Sequence, residues 1–190
     1  KNIIIYSDNV TYFKNKQKIL TQGRTKAIIE SKYNFISKNV LYLLNEKELS
    51  SSDKSTIKSG ESTIYKLDRF KYFINDKLLK GENIEVTTNF LQPKSDKFYF
   101  KDGFFNFQDS KFIANKTKIL LHKEIFDKER KFFIDQEDSK LNELFEEYYQ
   151  ENDPRVIGVS SYGDQDKTVV NKGVFTSCQK REGCPPWILT

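Results

Sequence analysis

Asp8-Asn9-Val10-Thr11-Tyr12-Phe13-Lys14-Asn15 returns as Lys38-Asn39-Val40-Leu41-Tyr42-Leu43-Leu44-Asn45 and again as Asp68-Arg69-Phe70-Lys71-Tyr72-Phe73-Ile74-Asn75. A worn fourth copy reads Asp102-Gly103-Phe104-Phe105-Asn106-Phe107-Gln108-Asp109. The copies start 38 − 8 = 30, 68 − 38 = 30 and 102 − 68 = 34 residues apart. Each reads as a polar turn, then an apolar residue and an aromatic two places apart, then Asn or Asp. Residues two apart share one face of a strand. A fixed period of this size built from strand units is the signature of stacked β repeats.

Around these copies, residues 1–126 alternate apolar and polar in short runs, broken by Gly, Asn-Lys and Ser-rich turns. Ile3–Tyr6, Val10–Phe13, Val40–Leu43, Phe70–Ile74, Ile84–Thr87, Phe98–Phe100, Phe104–Phe107 and Thr117–Leu121 are among the strands this predicts. Asn15-Lys16, Asn45-Glu46, Asn75-Asp76 and Asp109-Ser110 follow the repeated phrase, where a hairpin needs residues that tolerate unusual backbone angles. Nothing has βαβ spacing, so the expected class is all-β. Val10 with Tyr12, Val40 with Tyr42, and Phe70 with Tyr72 line one face, while Thr11, Leu41 and Lys71 point the other way. Phe13, Leu43 and Phe73 make that second face partly apolar, which suits a sandwich or rolled sheet better than a one-sided one. The loop Gln92-Pro93-Lys94-Ser95-Asp96 accounts for the longer fourth step.

After Lys128 the texture changes. Leu141, Leu144, Phe145 and Tyr148 fall at helical spacing behind Asp138 and Ser139, and Asn152-Asp153-Pro154 ends the pattern, predicting one helix near 140–150. Strand alternation resumes at Val156–Ser160, Thr168–Val170 and Val174–Thr176.

The 190 residues suit one domain whose core is built mostly of aromatics, 16 Phe and 10 Tyr in a chain only 37% hydrophobic. Its mean hydropathy is −0.68. Each buried aromatic removes about 150–250 Å² from water, enough for an elongated but thin core. The net charge of +5 is spread without a basic block, which argues for a solvated surface rather than a nucleic-acid site. No apolar run approaches the ~20 residues of a membrane helix, and no signal peptide is visible. Because the chain opens directly on a strand, it is expected to be a piece of a longer protein.

Catalytic constellations are missing, so no enzyme activity, metal or cofactor is expected. The single His122 sits on an alternating strand, two Cys and one His cannot close a zinc site, and the 8 Gly are scattered at turns. Glu146-Glu147 lies on the charged face of the predicted helix. Cys178 and Cys184 stand too far apart for a redox dithiol. A local disulfide, free thiols and partners elsewhere in a longer chain all remain open. A local bond would contribute only about 2 kcal/mol by chain entropy, which favours a joining role.

The run Thr168-Val169-Val170-Asn171-Lys172-Gly173-Val174-Phe175-Thr176-Ser177-Cys178, followed by Cys184-Pro185-Pro186-Trp187, resembles the end of the periplasmic N-terminal domain of the LptD family, the organic-solvent-tolerance outer-membrane proteins. The upstream repeats resemble that family's own, and the helix near 140–150 stands outside its pattern. The resemblance implies an open-ended β-jellyroll over 1–177, with a helical insertion at about 138–151. Residues 178–190 would be a Cys/Pro linker to an outer-membrane barrel. It implies a groove for the acyl chains of lipopolysaccharide, lined by Val10, Tyr12, Val40, Tyr42, Phe70, Tyr72 and Phe104, with rim lysines near the lipid's phosphates. It also implies an edge strand, Ile3, Ile4, Ile5 and Tyr6, that pairs with a bridge protein's jellyroll. Cys178 would be the linkage cysteine toward the barrel, and without the barrel a Cys178–Cys184 bond or disorder of this stretch is expected. The implied partners are lipopolysaccharide, the bridge protein, the barrel and its plug lipoprotein, at the periplasmic side of the outer membrane. A structural β-repeat module with a solid core, or another periplasmic lipid binder, is the alternative.

Overall fold

The sequence alternates in and out with period two, then breaks that rhythm identically in one stretch after another. Leu67-Asp68-Arg69-Phe70 and Phe100-Lys101-Asp102-Gly103 each have a buried residue, two outward ones, then another buried residue. That extra outward residue folds the strand over on itself, and the whole architecture follows from repeating it. The computed structural model describes residues 2–60, 62–91, 95–121 and 154–176. The helix expected near 140–150, His122, both cysteines and the 178–190 linker lie outside the described residues.

Among the described residues, fourteen strands form one antiparallel sheet. They are β1 (Ile3–Phe13), β2 (Lys18–Ile29), β3 (Tyr33–Lys38), β4 (Leu41–Leu43), β5 (Glu48–Ser51), β6 (Ser55–Ser59) and β7 (Thr63–Leu67). The rest are β8 (Arg69–Phe73), β9 (Leu78–Thr88), β10 (Lys97–Asn106), β11 (Phe112–Leu120), β12 (Arg155–Gly163), β13 (Thr168–Asn171) and β14 (Val174–Thr176). They group into ten V-shaped rungs: β1, β2, β3 with β4, β5 with β6, β7 with β8, β9, β10, β11, β12, and β13 with β14. Each rung runs antiparallel to the next in a simple meander. One arm of every V joins a first wall and the other arm a second. Traced by pairing, the walls close a ring through β2, β3, β6, β7, β9, β8, β5 and β4, because β2 and β9 belong to both.

The polar pair that opens the repeated phrase is therefore a corner within a rung, not a turn between strands. Ile3–Tyr6 and Val10–Phe13 are accordingly one strand, with a register shift between Ser7 and Asn9. Outward Asp and Asn side chains stitch one corner to the next. The Arg24 amide donates to Asp8 Oδ2 at 2.9 Å, Asn39 Nδ2 to Asp53 Oδ2 at 3.0 Å, Asn83 Nδ2 to Asp68 Oδ2 at 2.8 Å, and Asn115 Nδ2 to Asp102 Oδ1 at 2.8 Å. Asn39 and Asn83 hold φ of 49° and 50°, a left-handed bend that Asn tolerates better than most residues. Gly23, at φ +86°, turns the corner of β2 where a Cβ would collide with the Asp8 carboxylate.

Hairpins fall where the turn residues place them. Gln17, Lys47, Lys77 and Ser110 take positive φ in the loops after β1, β4, β8 and β10, beside Asn15-Lys16, Asn45-Glu46, Asn75-Asp76 and Asp109-Ser110. These loops also form a ladder of their own. The amides of Leu44, Ile74 and Phe107 donate to the carbonyls of Gln17, Lys47 and Lys77 at 2.9, 2.9 and 2.8 Å.

Inside the crease the walls approach closely, so small residues fill it. Toward the N-terminal end these are hydroxyls that satisfy one another: Thr25 donates to Thr21 at 2.8 Å, and Ser37 contacts Ser51 at 2.9 Å and Ser55 at 2.7 Å. Farther along, Gly81, Gly103 and Ala114 occupy the same column, and a Cβ on Gly103 would lie 2.9 Å from that of Ala114. Away from the crease the walls diverge and aromatics bridge them.

A groove between the two walls

Two columns of interior side chains face each other across the V. On the first wall, cross-strand partners give Ile5, Ala27, Phe35, Ile57, Tyr65, Val86, Phe98, Ile119, Val156 and Phe175, one per rung and all apolar or aromatic. On the second wall, Tyr12, Ile19, Tyr42, Leu49, Tyr72, Leu79, Phe105 and Phe112 stand in register. Among the described residues the first column spans all ten rungs and the second the first eight. They are not equally filled.

In the middle the walls are packed shut. Tyr33, Phe35, Leu49, Ile57 and Tyr72 are all at most 1% exposed. Rings interlock across the V, with Phe35 to Tyr72 at 4.9 Å and Phe35 to Phe70 at 5.5 Å between centroids. Phe107 contacts Tyr33, Tyr65 and Tyr72 at 5.3, 5.2 and 5.5 Å. The Tyr33 hydroxyl, on the first wall, donates to the Phe107 carbonyl on the second at 3.2 Å. Outside this aromatic layer, Lys77 Nζ lies 3.3 Å from Glu30 Oε2, joining the β8–β9 hairpin to the turn between β2 and β3. Burial pushes the Tyr72 hydroxyl pKa well above its usual 10.0, with Tyr33 and the Glu30 carboxylate adding to the shift. That hydroxyl is buried without a hydrogen-bond partner among the described residues.

Beyond the layer, toward the C-terminal rungs, the mouth of the V opens into a groove of about 560 Å³. Such a volume lies within the range of about 300–1,000 Å³ typical of ligand sites. Tyr65, Val86, Phe98, Phe100, Phe105, Phe107 and Phe112 form its apolar floor. Its rim is polar: Lys32, Ser59, Ser62, Thr63 and Asp96 on one side, Ser110, Lys111, Asp164 and Gln165 on the other. Lys111 pairs with Asp109 at 3.1 Å, which holds that carboxyl below its usual range. Backbone amides of Asp166 and Lys167 do the same for Asp164. Among the described residues no cluster of His, Cys, Asp and Glu suits a metal ion, and no helix is long and apolar enough to cross a membrane.

Of the residues expected to line the interior, Val40, Tyr42, Phe70 and Tyr72 are buried between the walls. Val10 and Tyr12 pair with Thr21 and Ile19, so they face inward, yet they are 54% and 46% exposed because β1 ends the stack. Phe104 must be corrected. It is 40% exposed on the outer face, under Lys80 Nζ at 5.4 Å, and its neighbours Gly103 and Phe105 point inward. The column partner of Tyr72 through Leu79 is Phe105, so the fourth copy is offset by 105 − 72 = 33 residues, not 34. The true floor residues Phe98, Phe105 and Phe112 escaped the sequence reading. The corner rule, two outward residues between two inward ones, is the signal that finds Phe105. In the expected edge strand, Ile3 and Ile5 face the interior, Ile4 and Tyr6 face out, and β1 pairs with β2 alone among the described residues.

No protein-family profile and no curated protein matches the chain. Among solved structures, it is similar to LptH, the LptA-homologous periplasmic component of the conserved lipopolysaccharide transport device of Pseudomonas aeruginosa. The two share 10% identity at a TM-score of 0.53, over 60% of this chain and 82% of that one. At such identity the likeness is one of fold, and it agrees with the all-β jellyroll expected from the sequence.

Proposed function

We propose that this chain is a non-enzymatic carrier in lipopolysaccharide transport, working in the periplasm by sheltering acyl chains between the two walls of its jellyroll. One observation carries the reading: an open groove with an aromatic floor and a polar rim that bears hydroxyls, lysines and the carboxylates of Asp96 and Asp164, on a fold like that of LptH. Sheltering each methylene is worth about 0.8 kcal/mol, and a groove offers that burial without a reactive group. Rim residues Lys32 and Lys111 suit the phosphates of such a lipid. The resemblance of Gly173–Trp187 to the LptD family carries the reading further, to hand-over toward an outer-membrane barrel with its plug lipoprotein. The edge of β1, with inward Ile3, Ile5, Val10 and Tyr12 at the open end, suits β-augmentation by a bridge protein.

The test is photocrosslinking of purified lipopolysaccharide to a benzophenone amino acid at Phe98 or Phe105, with Phe104 as control. Phe104 and Phe105 are adjacent and face opposite ways, so labelling at 98 and 105 but not 104 supports the groove. Equal labelling at 104 and 105 overturns it. No labelling of the folded protein favours the solid-core repeat module, which the tightly packed middle rungs would also suit.

A further inference from the structure

Tyr33, Tyr72 and Phe107 form an aromatic layer that bridges the two walls where the packed N-terminal rungs meet the C-terminal groove. We propose that this layer is a latch, held by the Glu30–Lys77 ion pair and the Tyr33–Phe107 bond, whose release joins the N-terminal interior to the C-terminal groove. The inference rests on the carrier reading and says where along the V an acyl chain is stopped.

Three observations carry it. Lys66–Glu85, Arg69–Glu82, Lys71–Glu48 and Lys111–Asp109 join neighbours within one wall or one loop, whereas Lys77–Glu30 joins wall to wall across the mouth. Its side chains are 26% and 25% exposed, so water reaches the pair and its exchange needs no unfolding. Next, the groove ends against this layer: its lining includes Tyr65 and Phe107 but neither Tyr33 nor Tyr72, which are buried behind them. Leu49 and Ile57 are themselves fully buried on the N-terminal side of the layer, so an acyl chain on Phe105 and Phe98 can reach them only if the walls part. Lastly, the closed layer buries the Tyr72 hydroxyl without a partner among the described residues. Parting the walls lets that hydroxyl form the hydrogen bond it lacks, which offsets part of the aromatic packing given up on opening. The latch is thus built to hold, but not deeply.

Thiol accessibility tests it, in full-length chain carrying Cys178→Ser and Cys184→Ser. Leu49→Cys places a thiol behind the latch, one rung from Tyr72, and Ile119→Cys places one in the core of the C-terminal rungs. Maleimide labelling at 49 should be slow and should quicken up to about fivefold with Lys77→Met, the shift of one partly covered ion pair. The exchange Glu30→Lys with Lys77→Glu should restore the slow rate, and position 119 should stay slow throughout. A rate at 49 indifferent to Lys77→Met, or a parallel rise at 119 that marks general loosening, overturns the latch. Crosslinking of lipopolysaccharide at Phe105 is scored separately. Its failure removes the carrier reading while the latch measurement stands.

Discussion

Removing the same atom from two tyrosines whose ring centroids lie 6.2 Å apart should change stability in opposite directions. The Tyr72 hydroxyl is buried with no partner among the described residues, so the folded state bears its desolvation without return. Tyr72→Phe should therefore stabilise the protein by about 1–2 kcal/mol. For a chain of this length that raises Tm by roughly 2–4 °C per kcal/mol. The Tyr33 hydroxyl instead donates to the Phe107 carbonyl across the V. Tyr33→Phe leaves that carbonyl unpaired and should cost about 1 kcal/mol. Both substitutions keep the ring, so aromatic packing cancels between them. Urea unfolding followed by circular dichroism, fitted with a common slope, gives the two values. If Tyr72→Phe loses as much stability as Tyr33→Phe, the Tyr72 hydroxyl has a partner and the wall-to-wall packing at this layer is wrong.

The corners, crease and walls make further claims. Asn83→Ala should destabilise by about 1–2 kcal/mol through its left-handed backbone and its bond to Asp68, while Asn83→Gly recovers the backbone part; thermal melts separate them. Gly103→Val should lower stability by at least about 1–3 kcal/mol, because its side chain meets Ala114 Cβ and the Ile113 carbonyl; a melt equal to the parent's would reject the close crease. Phe105→Ser should cost about 3 kcal/mol or more and Phe104→Ser within about 0.5 kcal/mol, a direct reading of which neighbour faces in. Burial raises the hydroxyls of Tyr65 and Tyr72 above 10.0, so the fold keeps protons that the unfolded chain releases. This stability is whole below pH 10.0 and fades as pH climbs past it, so replacing both with Phe should move the alkaline unfolding midpoint upward.

The hairpins were legible because turn chemistry is local: an Asn-Lys or Asn-Asp pair between alternating runs needs no knowledge of the rest of the chain. The facing of Val40, Tyr42, Phe70 and Tyr72 was legible for the same reason, since period two within a short strand fixes the side. The corners were not. Asp68-Arg69 between Leu67 and Phe70 carries the residues of a turn, and only cross-strand pairing distinguishes a bend within a rung from a reversal between rungs. Missing the corner shifted the fourth copy by one, and a shift of one moves every side chain to the other face. That alone placed Phe104 inside. The bar across the groove was hidden for a different reason. Tyr33 meets Phe107 across 74 residues, and no local pattern encodes a contact at that separation.

An out-and-back excursion of two rungs takes thirty residues and returns the chain to the same wall, which sets how such a molecule can change length. Adding or deleting one whole excursion leaves both terminal strands with their original direction and inward face, whereas a single rung would reverse one of them. The ten rungs of the described residues make nine spacings of about 4.7–4.9 Å, so they span roughly 43 Å along the stack axis. Reach across a gap is then adjusted in steps of about 9.5 Å, two rungs at a time, without redesigning either end.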